Sequence, residues 1–287
     1  MILPDPNGIA EPRDGLGLAL GAGGARGLAH LVVLEALDEL GVRPVAIAGT
    51  SMGAIVGAAY AAGHSGRALR AHVLRLFGRR HRAMSLLLDA RVGRFTEVLR
   101  RGFANPVMVD AEVVLAAFWP GGMPETFEGL SIPFAAIATD FHARREIVID
   151  RGALLSAVAG SMAMPGLVRP VRRDGRTLVD GAATNPLPYD RLPPNVLRVV
   201  ACDVVAGPVS ADGAAPTPFE AMFGSAQIMQ GAITAKMLRE RAPDLLVRPP
   251  VGEFKVLDFF RFSRIIGAAE SEKDEVKRAL DRLLDPR

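Results

Sequence analysis

Residues 49–53 (Gly-Thr-Ser-Met-Gly) lie between two apolar segments and leave the chain little conformational freedom there. Upstream, residues 45–48 form a short, partly β-branched run, which predicts a buried strand. Downstream, residues 54–62 are rich in alanine and apolar almost all round before Gly63, which predicts a buried helix. The turn between strand and helix is so short that it requires glycine at its flanks and strained backbone angles at Ser51.

In this setting, the G-x-S-x-G pattern is typical of a nucleophile elbow, flanked here by Gly49 and Gly53. Such an elbow lifts the serine hydroxyl above the sheet edge, at a helix N-terminus whose partial positive charge favours a developing oxyanion. The alternative is an ordinary glycine-rich turn in which Ser51 only caps the helix. The motif by itself leaves both interpretations open.

Composition excludes several classes of function. Of the 287 residues, 49% are hydrophobic and 23% are charged, yet no apolar run reaches the roughly 18 residues of a transmembrane helix. Residues 1–14 lack the basic, apolar pattern of a secretory signal, and Cys202 is the single cysteine, so no intramolecular disulfide or cysteine metal cage is expected. The net charge is only +3, and the basic residues do not form a clustered stripe with interleaved aromatic residues, so no nucleic acid is expected as a partner. We expect a cytoplasmic enzyme that binds an apolar ligand or associates peripherally with the inner face of the membrane.

The first fifty residues predict one βαβ unit of a parallel sheet. Residues 15–20 are an apolar run that predicts the first strand, and residues 21–27 (Gly-Ala-Gly-Gly-Ala-Arg-Gly) form a loop. A helix is predicted over residues 28–40, with Glu35, Asp38 and Glu39 on its solvent face. His30, at the start of this helix, is expected to face the loop.

The glycine loop fits nucleotide binding poorly. Arg26 occupies the third glycine position of a dinucleotide fingerprint, and the Gly-Lys-Ser/Thr of a phosphate loop is missing. The remaining role is a set of backbone N–H donors aimed at one point, as an oxyanion hole requires. Arg26 either adds charge to that point or ties the loop down by bonding to carbonyls.

The sequence as a whole predicts one domain over residues 1–287. It has a core at about 16–205, an N-terminal tail at 1–14 and a C-terminal helical extension at 206–287. Within the core, residues 67–103 interleave arginines with leucines and phenylalanines, which is typical of a membrane-surface segment or a lid, and equally of a solvated helical insertion. Strands are predicted at 132–140, 146–149, 168–171, 177–179, 197–202 and 245–247, and helices at 110–118, 152–160, 219–241 and 271–284.

A serine nucleophile needs a base, and the usual order of serine, acid and histidine fails here. All five histidines (His30, His64, His72, His81 and His142) precede Asp180, so a triad would need Asp89, Asp110 or Asp140 as its acid. The alternative is a dyad in which a carboxylate acts on the serine directly, with burial raising its basicity. Asp180, which follows an apolar strand and precedes a proline-rich exit, is the preferred partner.

Four blocks in this order resemble those of patatin-like phospholipases. They are residues 23–27 (Gly-Gly-Ala-Arg-Gly), 49–53, 161–166 (Ser-Met-Ala-Met-Pro-Gly) and 180–182 (Asp-Gly-Ala). The chain most resembles the small bacterial members related to neuropathy-target-esterase-type lysophospholipases, over about residues 16–205. Two positions depart from the family pattern: Ala22 interrupts the glycine run, and Ala182 replaces the commoner second glycine of the last block.

The resemblance implies a three-layer α/β/α sandwich with a mainly parallel central sheet. It implies a serine lipid acyl hydrolase that cleaves phospholipid or lysophospholipid esters through an acyl-enzyme, without metal or cofactor. An acyltransferase using the same serine, or a catalytically dormant membrane-associated module, remains open, as does the oligomeric state. Peripheral membrane contact is expected through residues 67–103. The implied site consists of the nucleophile Ser51 and its partner Asp180, the oxyanion loop Gly23, Gly24, Ala25 and Arg26, and a pocket wall of Met52, Ser161 and Pro165.

Overall fold

The computed structural model describes residues 13–78, 91–92, 108–208 and 215–284. Its strands are β1 (Arg13–Leu20), β2 (Ala46–Thr50), β3 (Arg91–Val92), β4 (Met108–Val109), β5 (Phe134–Asp140), β6 (Arg145–Ile149), β7 (Val171–Arg173), β8 (Arg176–Asp180), β9 (Val196–Cys202) and β10 (Leu245–Val247). Its α-helices are α1 (His30–Glu39), α2 (Met52–Ala61), α3 (Gly66–Gly78), α4 (Ala111–Phe118), α5 (Leu154–Ser161), α6 (Pro218–Glu240), α7 (Phe262–Glu270) and α8 (Lys273–Leu284). Short 3₁₀ turns include Gly24–Ala29 and Gly181–Ala183.

Most of the described strands form one mixed sheet in the order β10-β9-β1-β2-β5-β8-β7, with β6 paired to β5. The strands from β10 to β5 run parallel, whereas β6, β7 and β8 pair antiparallel. A separate pair of short strands, β3 and β4, lies outside this sheet. The predicted mainly parallel α/β architecture is therefore confirmed.

Alternate residues of the strands face two different hydrophobic clusters, as the pleat of a β-strand requires. On one side, Leu18 and Leu20 of β1 pack in the larger cluster with apolar residues of α1, α2, α5, α7 and α8. On the other side, Ala19 packs in a smaller cluster with Leu187 and with Met237 of α6. Helices on both faces of the sheet make the predicted three layers.

One side chain predicted on the solvent face is buried. Glu35 of α1 is covered where α3 and α8 pack against it, and its carboxylate lies 3.0 Å from both Arg70 Nη1 and Lys273 Nζ. A buried carboxylate requires such cationic partners, which lie on helices distant in sequence from α1. The prediction for Glu35 is therefore wrong.

Two further differences concern the helices. The predicted helix at 28–40 begins as the 3₁₀ turn Gly24–Ala29 and becomes α-helical only at His30. Helix α7 was not predicted, although Phe262, Ile265 and Ile266 recur at helical spacing and are buried.

The segment 245–247, predicted as a short strand, joins the main sheet as β10, parallel to β9. The organisation of residues 1–287 as one domain stays a prediction.

The predicted basic segment 67–103 is described only in part. Helix α3 carries its first residues, and there Arg70 is engaged by Glu35 and Glu270. Residues 79–90 and 93–107, which include His81 and Asp89, lie outside the described residues. None of the described helices combines the length and the apolarity that a bilayer crossing requires.

Candidate active site

Ser51 occupies the turn between β2, which ends at Thr50, and α2, which begins at Met52. Its φ of 56° and ψ of −119° are unfavourable for a residue with a side chain, as expected at a nucleophile elbow. Backbone crowding explains both flanking glycines. A Cβ on Gly49 would lie 2.5 Å from the Gly53 carbonyl oxygen, and a Cβ on Gly53 would lie 2.0 Å from the Leu20 carbonyl oxygen.

The Ser51 side chain makes no capping hydrogen bond to α2, so the alternative of a simple helix cap is wrong. Its Oγ instead donates to Asp180 Oδ2 at 2.7 Å. The sheet register explains this meeting, because Thr50 at the end of β2 lies opposite Ile137, and Asp180 at the end of β8 lies opposite Ala138. Two strand ends thus arrive at adjacent positions along β5.

Asp180 is held on several sides. Its Oδ1 accepts the Ala182 N–H at 2.9 Å, and its backbone carbonyl accepts the Thr139 hydroxyl at 3.0 Å. The side chain is buried, and burial raises the pKa of this carboxyl to about 6, while the hydrogen bonds from Ala182 and Ser51 oppose that rise. The Ser51 hydroxyl is therefore hydrogen-bonded to a carboxylate that is more basic than a carboxylate in water.

The glycine loop is fixed at both ends. The Gly21 N–H donates to the Cys202 carbonyl at 3.0 Å, and the Ala22 N–H donates to the Pro186 carbonyl at 2.8 Å. The Ala25 N–H donates to the Val256 carbonyl at 2.8 Å. The Ala25 amide is therefore already hydrogen-bonded within the protein, whereas the sequence predicts it as a donor to the oxyanion.

Gly23 and Gly24 remain as candidate oxyanion donors. Within the described part of the chain, their amides donate none of the backbone hydrogen bonds found in loops and turns. Gly24 has a φ of 57°, and a Cβ there would lie 2.4 Å from the Val256 carbonyl oxygen, so glycine is required at this position. A Cβ on Gly23 would likewise lie 2.6 Å from Val204 Cγ2.

Arg26 anchors the loop. Its guanidinium is buried and donates to the carbonyls of Phe254 at 2.7 Å and Ala206 at 3.0 Å, and to Gln227 Oε1 at 2.9 Å. Burial lowers the pKa of Arg26, and the nearby Asp258 carboxylate opposes that effect. Of the two predicted roles, the geometry favours tying the loop down, since these donors already have partners in the C-terminal part of the chain.

The predicted pocket-wall residues separate in the structure. The fully buried Ser161 Oγ accepts the Ser51 N–H at 2.9 Å and donates to the Ile137 carbonyl at 2.5 Å, so it lies behind the elbow rather than in a wall. Met52 is half-buried and packs against Gly27, where a Cβ would lie 2.3 Å from Met52 Cγ. Pro165 is exposed.

His30 faces the loop, as expected from its position. Its Nε2 bonds the Gly21 carbonyl at 2.9 Å and its Nδ1 bonds Cys202 Sγ at 3.1 Å. The carbonyl can only accept, so Nε2 carries the proton and the thiol donates to Nδ1. Burial lowers the pKa of His30 to about 4, which keeps the ring neutral. None of the histidines that the structure describes bonds Ser51 or Asp180.

Comparison with known proteins gives consistent results. A family model described as patatin-like phospholipase matches residues 18–192. An uncharacterized NTE family protein of Mycobacterium tuberculosis is 40% identical over 181 residues, which cover 63% of this chain and 46% of that protein. Lysophospholipase NTE1 of Saccharomyces cerevisiae is 25% identical over 288 residues, which cover 87% of this chain and 16% of that protein. The match thus spans less than half the length of either relative.

Among solved structures, the crystal structure of VipD from Legionella pneumophila matches with a TM-score of 0.49 and 13% sequence identity. That match covers 96% of this chain and 69% of the VipD chain.

Proposed function

This chain belongs to the patatin-like phospholipase family, and from that premise we propose that it hydrolyses carboxylic esters of phospholipids or lysophospholipids through Ser51 and Asp180. The observation that carries the proposal is the 2.7 Å hydrogen bond from Ser51 Oγ to Asp180 Oδ2 at the strained elbow. A carboxylate so placed can accept the hydroxyl proton during attack. The name of one relative, lysophospholipase NTE1 of Saccharomyces cerevisiae, suggests the lipid class.

In the proposed acylation step, Ser51 Oγ attacks the ester carbonyl carbon while its proton passes to Asp180 Oδ2. The carbonyl oxygen becomes an oxyanion, for which the Gly23 and Gly24 amides and the N-terminus of α2 provide positive partial charge. Collapse of the tetrahedral intermediate breaks the ester C–O bond. The proton on Asp180 then moves to the departing alkoxide, and the acyl group remains on Ser51.

In the proposed deacylation step, water replaces the alcohol and gives its proton to Asp180. The hydroxide oxygen attacks the acyl carbon, and the fatty acid leaves as Ser51 regains its proton. Asp180 therefore acts as base and then as acid in each half-reaction, which suits a pKa near 6 better than the ordinary value of 3.8. Membrane contact through residues 67–103 remains part of the proposal.

The test is covalent labelling with a fluorophosphonate, read by intact-mass spectrometry, on wild type, Ser51→Ala and Ser271→Ala. Ser271 is the matched control because its hydroxyl is exposed and donates to the Ala268 carbonyl at the end of its own helix. We expect a single adduct on wild type and Ser271→Ala, and none on Ser51→Ala. Fatty acid release from lysophosphatidylcholine should fall by about 10⁴-fold or more in Ser51→Ala.

Three results would contradict the proposal in whole or in part. Absence of an adduct on folded wild type would mean that Ser51 is not activated. Undiminished fatty acid release by Ser51→Ala would place the nucleophile elsewhere. An adduct without release from phospholipid or lysophospholipid would reject the lipid class and retain the activated serine.

A further inference from the structure

Helix α6 exposes large apolar side chains to solvent over about its first four turns, although Met237 and Leu238 near its end pack in the smaller hydrophobic cluster. Met222 is 49% exposed, and Ile228 and Met229 are each 60% exposed. On the inner side, Gln227 is half-buried and Thr234 is buried. A surface helix normally turns polar side chains to solvent, because burying apolar area stabilises the fold and exposing it does not.

The exposed apolar residues form one continuous surface. With the exposed positions 225, 232 and 235 they form a series that recurs at three, four and seven positions, which places the series on one side of the helix. No charged residue occurs from 221 to 235, over about four turns. We call this surface the docking face, and its members are Met222, Ser225, Ile228, Met229, Ala232 and Ala235, all exposed.

The docking face lies beside the candidate active site. Helix α6 packs against the Gly181–Ala183 turn that follows Asp180. Gln227, on the inner side of α6, accepts from Arg26 at 2.9 Å and so contacts the oxyanion loop. Met222 reaches the loop after α5, since a Cβ on Gly166 would lie 3.0 Å from Met222 Cε. A structure bound to this face would therefore be adjacent to the loops around Ser51.

We propose that the docking face rests on the surface of a phospholipid bilayer, where the substrate esters are located; this inference rests on the proposed function. Charge at the end of the helix favours lipid as the occupant. Lys236 and Arg239 continue the same side of α6 toward its C-terminus, and both are exposed. Long cationic side chains next to an apolar helix face reach lipid phosphates while the apolar residues enter the acyl boundary.

A second copy of the chain fits this surface less well. In a two-fold arrangement of antiparallel α6 helices, Lys236 of one copy would lie against the exposed Met222 of the other, while the first-turn carboxylate of Glu220 is already bonded to Lys255 at 3.1 Å. The cation would then be buried without a partner there, which is costly. Its ion pair with Glu240 in the structure is 3.8 Å long and largely exposed, so it binds Lys236 weakly.

The test is co-sedimentation with phosphatidylcholine vesicles, in a Ser51→Ala background so that lipid is not consumed. The main variant is Ile228→Asp with Met229→Asp, and a milder one is Ile228→Ser with Met229→Ser. The matched control is Val148→Asp with Leu197→Asp, since these side chains are 43% and 50% exposed on β6 and β9. We expect the vesicle partition coefficient to fall about tenfold in the aspartate variant, less in the serine variant, and to stay unchanged in the control.

Three results would overturn the inference. The first is vesicle binding unchanged by either α6 variant. The second is binding only to vesicles that contain phosphatidylglycerol, insensitive to the α6 variants and abolished by salt, which points to the basic segment 67–103. The third is a dimer in sedimentation analysis that the α6 variants convert to monomer, which identifies a second copy as the occupant. Fluorophosphonate labelling of the same variants with Ser51 restored reports separately on the proposed function and shows that the site is folded.

Discussion

Replacing Asp180 by asparagine should abolish turnover and at the same time stabilise the fold at neutral pH. Asparagine keeps the shape of the side chain, and its amide can still bond Ser51 Oγ and the Ala182 N–H. What the substitution removes is a charge held in a buried site. The group proposed as the catalytic base is therefore also a group whose charge lowers the stability of the fold.

The size of the effect follows from the carboxyl pKa, which burial raises from 3.8 to about 6. At about 1.4 kcal/mol per pKa unit, ionising Asp180 in the folded protein costs about 3 kcal/mol relative to the unfolded chain. Below pH 3.8 the carboxyl is neutral in both states, so the cost vanishes. Between pH 3.8 and about 6 the folded protein holds a proton that the unfolded chain has lost, so wild-type stability falls as pH rises.

Urea unfolding of wild type and Asp180→Asn at several pH values measures this difference. The variant should be more stable by up to about 3 kcal/mol at pH 8 and by roughly half of that at pH 5. The control is Asp203→Asn, since the buried Asp203 carboxylate is paired with Arg248 at 3.0 Å and its loss should destabilise the protein. The same carboxyl predicts that kcat/KM of wild type falls as pH drops below about 6.

A stability difference that is absent at pH 8, or that does not change with pH, would refute this reasoning. Burial would then not be the origin of the basicity of Asp180. Full turnover by Asp180→Asn would show in addition that another group accepts the Ser51 proton.

Two further predictions concern the supports of the site. Arg26→Ala should lower kcat and the fluorophosphonate labelling rate by about 10²-fold. Arg26→Lys should not restore them, because one ammonium cannot reach the Phe254 and Ala206 carbonyls and Gln227 together. Full rescue by lysine would show that charge alone matters. Ser161→Ala should lower the free energy of unfolding by about 1–3 kcal/mol, since it leaves the Ser51 N–H and the Ile137 carbonyl without their buried partner. A drop in the free energy of unfolding without a drop in kcat would limit Ser161 to a structural role.

The elbow and the pairing of Ser51 with Asp180 could be predicted because the signals for each residue are local in sequence. Short apolar runs mark β2 and α2, the glycines around Ser51 mark the turn, and the position of the histidines in the chain favoured a carboxylate as the base. An apolar strand followed by a constrained loop indicates Asp180. The register of β2 and β8 against β5 then explains why these two separate signals meet.

Other features depend on contacts between distant parts of the chain. Nothing near Glu35 in sequence indicates that Arg70 and Lys273 neutralise it. Similarly, the glycine loop by itself does not show that Val256 takes the Ala25 amide. The block at residues 161–166 shows only neighbours in sequence and so predicts Ser161 in a pocket wall, whereas its hydroxyl lies behind the elbow.

The segment beyond residue 205 is tied to the catalytic geometry more closely than the four sequence blocks indicate. The blocks supply Ser51, Asp180 and the glycine loop, yet the loop is held by Val256, by the Phe254 and Ala206 carbonyls and by Gln227 of α6. An oxyanion hole works only if its donors are fixed before charge develops. Because Gln227 lies on the inner side of the helix whose outer side is the docking face, a lipid surface bound there would contact the same helix that fixes the oxyanion loop. In the proposed mechanism, the C-terminal part would therefore connect the bilayer that holds the substrate with the loop that stabilises the oxyanion.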